Sequence, residues 1–190
     1  MFTVTMKLPM GSISHVKEPG RDRANEFLQC NEDRQIMTGW TIHEDELDRE
    51  DVRALLAQHF AEMRSGSPPS ACHVLPADGL KSPQIRFLTL REGDNLLGCG
   101  ALKRLEPGHG ELKSMRTSDQ ALGRGVGKAL LHHLIEAAKT EGMRQLSLET
   151  GSTEQFAAAL RLYEREGFEP CGPFGGYVDT PFTRFFTKSI

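Results

Sequence analysis

The sequence predicts an α/β protein, a mixed central sheet flanked by helices, with elements in the order β-α-βββ-α-β-α-ββ. Three observations carry that expectation. Apolar residues recur at helical spacing from Val52 to Met63 and again from Val126 to Ala138. Between these stripes lie three short strand-like runs joined by tight turns. The second stripe is entered through a glycine-rich turn, Leu122-Gly123-Arg124-Gly125-Val126-Gly127-Lys128, which marks a strand-to-helix junction.

The elements follow in order. Residues 1–38 mix charges without sustained periodicity, as in Glu18-Pro19-Gly20-Arg21-Asp22-Arg23. They read as an N-terminal extension, partly ordered or vector-derived, which leaves 39–190 as the folded domain. Trp40-Thr41-Ile42-His43 reads as a short strand. Acidic residues from Glu44 to Asp51 then open a helix, where carboxylates meet the positive end of its dipole. Val52, Leu55, Leu56, His59, Phe60 and Met63 form its apolar stripe, and Gly66-Ser67-Pro68-Pro69-Ser70 stops it. Strands are expected at Ile85 to Leu90, Leu96 to Leu105 and Glu111 to Arg116, with turns at Glu92 to Asn95 and Pro107 to Gly110. After the glycine turn, a helix runs to Gly142, whose lack of a side chain suits a helix end. Arg144 to Glu149 is the next strand and Glu154 to Glu166 the last helix. A hairpin with Phe182 to Phe186 as its return strand closes the chain.

Composition removes several function classes. The 190 residues carry 23 Lys and Arg against 26 Asp and Glu, net −3, so there is no basic footprint for nucleic acid or an anionic membrane. No apolar run approaches the roughly 20 residues of a membrane span. The N-terminus lacks the apolar core and cleavage site of a secretory leader, so a cytoplasmic protein is expected. Cys30, Cys72, Cys99 and Cys171 are scattered without a Cys-x-x-Cys pair and read as reduced thiols, with Cys99 in the core. The seven histidines do not cluster at ligand spacing, and no metal is expected; His132 reads as a solvated i,i+4 pair with Glu136.

The glycine turn carries the chemistry. With few Cβ atoms in the way, successive N–H groups can converge at the start of a helix, whose dipole favours phosphate oxygens there. A Walker loop is excluded because Leu122 stands where its first glycine belongs and Ala129 where its hydroxyl belongs. The dinucleotide fingerprint fails because Lys128 occupies its third glycine position. What remains, Gly-x-Gly-x-Gly, resembles the acetyl-CoA pyrophosphate loop of the GNAT superfamily of N-acetyltransferases. Gly125-Val126-Gly127 fits the second half of that pattern, while Leu122 replaces its usual Arg or Gln. Downstream, Leu162-Tyr163-Glu164-Arg165-Glu166-Gly167-Phe168 is similar to the Leu-Tyr-x-x-x-Gly-Phe signature of the same superfamily.

That resemblance implies the GNAT (acyl-CoA N-acyltransferase) fold and direct acetyl transfer from acetyl-CoA to a primary amine of a small molecule or peptide. The reaction needs a deprotonated amine, an oxyanion donor, a proton for the leaving sulfur and a held cosubstrate. The loop Leu122, Gly123, Arg124, Gly125, Val126, Gly127 and Lys128 would hold the pyrophosphate through its backbone. Met115, Arg116 and Thr117 would line the pantetheine arm where two parallel strands part, with the Met115 N–H as oxyanion donor. Tyr163 matches the general acid; its bland reading is a core tyrosine on a stripe with Phe156 and Leu160. For the base, Glu149 and Glu111 are both candidates, and each is equally readable as a surface or substrate-binding residue. His73 and Tyr177, with Phe174, are candidate substrate contacts, whereas His59 reads as a satisfied core histidine. Phe182, Phe185 and Phe186 suit either core or interface, and the resemblance leaves a homodimer open. The rival reading is a catalytically silent acyl-CoA-binding or sensing module.

Overall fold

The computed structural model describes residues 39–44, 46–65 and 74–190. The extension expected over 1–38, together with Cys30, Cys72 and His73, lies outside them. One seven-stranded mixed sheet organises the rest. Its first four strands, β1 (Trp40–Glu44), β2 (Ile85–Glu92), β3 (Asn95–Glu106) and β4 (His109–Thr117), form an antiparallel meander. Helix α1 (Glu50–Ser65) links β1 to β2, and α2 (Val126–Thr140) links β4 to the parallel strand β5 (Gln145–Gly151). Helix α3 (Ala157–Arg165) follows, then β6 (Glu169–Pro170) and β7 (Thr183–Ser189). The spatial order is β1-β2-β3-β4-β5-β7-β6.

Strand alternation divides the core between the two faces. Leu88, Leu90, Leu97 and Leu102 pack with Leu130, Leu131 and Leu134 of α2. From the opposite face, Phe87, Cys99 and Ala101 meet Val52, Leu55 and Leu56 of α1. Cys99 is fully buried, and burial pushes its thiol up to about 12, which makes it an inert core residue.

Three expectations about local structure are corrected. Glu44 belongs to β1, and α1 starts only at Glu50. Glu46, before the helix, and Asp51, in its first turn, both meet Arg91, which is buried on β2: Glu46 accepts from its Nε at 2.7 Å and Asp51 from its Nη1 at 2.7 Å. A buried guanidinium needs such partners, and meeting it holds Glu46 out of the helix. The last helix is preceded by a separate 3-10 turn, Glu154–Phe156, so regular helix begins at Ala157. The Glu166 carboxylate accepts from His132 Nε2 at 2.6 Å, so His132 does not pair with Glu136, because α2 packs beside the end of α3.

The closing hairpin also has an unequal build. β7 pairs with β5 from Gln145↔Ser189 to Gly151↔Thr183, whereas β6 adds only two residues at the edge. Pro170 is tolerated there because an edge strand has an unused hydrogen-bonding side. Phe185 and Phe186 are buried in the core, and Phe182 is 38% exposed.

Candidate functional site

The site is created where β4 and β5 stop pairing. Their parallel ladder runs only from His109↔Gln145 to Leu112↔Leu148. Beyond it, Glu149, Thr150 and Gly151 continue to pair with β7, and Lys113 to Thr117 continue along β3. Two local features fit this parting. Ser114 has φ +51°, the one non-glycine residue with positive φ among the described residues, and the β3–β4 register skips Ser114 and Met115 opposite Gly100. Such a bulge shifts the alternation by one. Met115 therefore packs toward α2, its sulfur against Gly100, while Arg116 turns toward α1. On β5, a Cβ at Gly151 would come within 2.1 Å of the Phe156 ring, so this glycine is what lets that ring lie against the strand end.

The glycine turn has the geometry that an anion cradle requires. Gly123 has φ +76° and Gly125 has φ +87°, conformations that are strained for residues with a side chain. Gly125 caps α2 without any side-chain bond to the helix. The N–H groups of the first turn, Val126 to Lys128, have no intrahelical acceptor by helix geometry. Two members of the expected set are otherwise engaged: the Leu122 N–H donates to the Asp119 carbonyl at 3.4 Å and the Arg124 N–H to the Ala121 carbonyl at 3.3 Å. Nearby cations are paired as well. Arg124 contacts Glu92 at 2.6 Å and Lys128 contacts Glu166 at 2.8 Å. The Arg116 guanidinium grips Glu62 of α1 through two bonds of 2.5 and 2.9 Å. An anion at this turn would thus be held chiefly by the backbone and the helix dipole.

A cavity of about 440 Å³ extends from this turn into the gap between the strands. Its walls come from His59 and Met63 of α1, Met115 and Thr117 of β4, the glycine turn, and Phe156 and Tyr163 near α3. That volume lies within the range of ordinary small-molecule sites. A smaller chamber of about 80 Å³ shares His59, Met63, Met115, Phe156 and Tyr163, and adds Lys113, Ser114 and Glu149. Leu122, the residue that departs from the superfamily pattern, borders the larger cavity and is 64% exposed.

The titratable groups in the chamber sit in contrasting environments. Burial pushes the Glu149 carboxyl up to about 7; Lys113 opposes this rise and Glu111 adds to it. Tyr163 is 6% exposed, and burial pushes its phenol well above the usual tyrosine range. Its ring stands edge-on to Phe168 at 5.8 Å, which explains why the Tyr and the Gly-Phe of one sequence motif come as a unit. His59 lines both spaces, and burial with the nearby Arg116 charge pushes its imidazole down to about 4. Its placement on cavity walls corrects the reading of it as a satisfied core histidine.

Glu111 has a different position from Glu149. It is 1% exposed and lines neither space. Its Oε1 accepts from Lys113 Nζ at 2.7 Å and from the Tyr177 hydroxyl, and Lys113 also donates to that hydroxyl at 2.6 Å. Tyr177 is therefore tied to β4 rather than to either cavity wall, and Phe174 stands edge-on to it at 5.3 Å. Lys113 was not among the residues singled out from sequence. Its signal was there, because i,i+2 alternation places it on the same strand face as Glu111.

Residues 49–168 match the model of the acetyltransferase (GNAT) family. The uncharacterised N-acetyltransferase YsnE of Bacillus subtilis is 46% identical over 146 residues, 77% of this chain and 97% of that protein. YedL of Escherichia coli, also an uncharacterised N-acetyltransferase, is 41% identical over 151 residues, 80% of this chain and 95% of its own length. A Bacillus subtilis acetyltransferase solved in complex with CoA superposes with a TM-score of 0.59 at 18% identity, covering 80% of this chain and 99% of that one.

Proposed function

The chain belongs to the GNAT family of N-acetyltransferases, and from that premise we propose how its own residues divide the work of acetyl transfer. Acetyl-CoA supplies an activated thioester. The amides of Gly123 and of Gly125 to Lys128 would hold its diphosphate, and the stretch Met115 to Thr117, which does not pair with β5, would line its pantetheine arm. The left-handed glycines, the open first turn of α2 and the adjoining cavity fit such a group.

Glu149 acts as the base. A primary amine arrives largely as ammonium at neutral pH, its pKa being near that of lysine, and must lose a proton before it can attack. A carboxylate titrating near 7 is ionised often enough to take that proton, and far more basic than an ordinary glutamate. Tyr163 is the proton donor: its raised pKa keeps it protonated, and it shares the chamber with Glu149. The Met115 N–H, at the bulged turn of β4, is the donor for the developing oxyanion. The acceptor is a primary amine of a small molecule or peptide.

One observation carries this reading. Glu149 and Tyr163 line a single small chamber that shares its walls with the cavity leading from the glycine turn. The test is release of free CoA thiol from acetyl-CoA over a library of amines, by the parent chain and by Glu149→Gln. Turnover unchanged in that variant would remove the base assignment, and no turnover with any amine would favour a silent CoA-binding module.

A further inference from the structure

We propose that Glu111, Lys113 and Tyr177 form a positioning cluster that sets the charge environment of Glu149 and seats the closing loop against β4. This rests on the reading of Glu149 as base. It reassigns Glu111 from candidate base to support.

The geometry behind it is specific. Glu111 is buried beneath the chamber rather than in its wall, and its Oε1 is saturated by Lys113 and Tyr177. Its Oε2 is buried without a hydrogen-bond donor, and the Lys103 ammonium stands 3.9 Å away. A carboxylate so placed cannot reach a substrate amine, yet its field is felt nearby because little water screens it. Lys113 is the link: its side chain is only 8% exposed and lines the chamber with Glu149, and its ammonium contacts Glu111. Tyr177 completes the seat, lying under the Lys113 ammonium at 5.3 Å from its ring centre and against Phe185 at 6.0 Å. Phe185 is in turn the register partner of Glu149 on β7. Thus one buried anion and one buried cation flank the proposed base with opposite effects, and an aromatic from the last loop holds both in place.

Among the described residues, the charged and titratable groups around Glu149 come from four other elements. β4 contributes Glu111 and Lys113, α3 contributes Tyr163, α1 contributes His59, and the loop before β7 contributes Tyr177. Arg184 of β7 is exposed and donates to the Thr183 carbonyl. Tyr163 and Tyr177 stay protonated and His59 stays neutral near pH 7, so the charges that remain variable by mutation are Glu111 and Lys113.

The experiment is the pH profile of kcat/KM, measured with saturating acetyl-CoA and the best amine found. The acid limb of the parent reports the base. Glu111→Gln removes a neighbouring negative charge and should move that limb to lower pH by roughly one unit, while Lys113→Met should move it to higher pH by about as much. The double variant should bring the limb back near the parent position, which also answers the objection that one unpaired buried charge loosens the fold. Tyr177→Phe keeps both charges, so the limb should stay and kcat should fall. Limbs that do not move in any variant, or that move the same way in both single variants, overturn the proposal. The two readings fail separately. If Glu149→Gln leaves the limb in place, the base assignment falls; if it abolishes the limb while Glu111→Gln and Lys113→Met leave it unmoved, only the cluster falls.

Discussion

At the Gly123–Lys128 turn the cleft is lined by backbone from one continuous segment, whereas around Glu149 it is lined by side chains from α1, β4, β5 and α3. The difference teaches what each end can tolerate. A backbone cradle depends on φ values and on the absence of Cβ atoms, so most side chains along it can change while the two left-handed glycines cannot. The acceptor end depends on burial and on neighbouring charge, so a single isosteric exchange that hardly alters shape removes its chemistry. CoA affinity and catalytic rate should accordingly respond to different substitutions.

The strongest test of that division is Glu149→Gln. It should lower kcat by roughly a thousandfold, within the range of general acid–base catalysis, with CoA binding by calorimetry unchanged. Because Glu149 must be ionised to accept a proton, parent kcat/KM should fall about tenfold per unit as pH drops below about 7 and level off above it. A parent profile with no inflection between pH 6 and 8 would break this half of the comparison. Tyr163→Phe should cost roughly a hundredfold in kcat while leaving CoA affinity alone, since it removes only a proton donor. A matching loss of CoA affinity would show that Tyr163 serves the cosubstrate end instead.

From the other side, Gly125→Val forces a β-branched residue into φ +87°. Strain of about 1–3 kcal/mol should weaken CoA binding by roughly tenfold, with kcat at saturating acetyl-CoA little affected. The smallest effect should come from Lys128→Met. Its side chain is half exposed and its ammonium already paired with Glu166, so CoA affinity should change by about twofold or less. A large, salt-sensitive loss would show that Lys128 leaves Glu166 to reach the cosubstrate.

Much of the fold was readable from local pattern. Helix α2 announced itself through Val126, Leu130, Leu131, Leu134 and Ala138, all buried in the structure, and through Gly142, which ends it at φ +76°. The strands of the meander were delimited by their turns to within a residue or two at most ends. The candidate site was legible in part. Gly123, Gly125 and Tyr163 stood out because each belongs to a short contiguous motif. The start of α1 was misread because Glu46, before it, answers to Arg91, 45 residues away in sequence. His132 was misread for a similar reason, its partner being 34 residues distant.

By itself, then, the amino-acid order determined most of the elements, the glycine turn that opens α2 and the family. Periodicity and φ requirements are local properties that a short window records. Only the tertiary structure gives Glu149 and Glu111 different surroundings, since both are acids on neighbouring strands and nothing local distinguishes them. Three-dimensional packing seals one against Lys113 and Tyr177 and leaves the other, desolvated, on the wall of the chamber. Burial and the company of distant charges tell these two carboxylates apart, and both are set by how the chain folds back on itself.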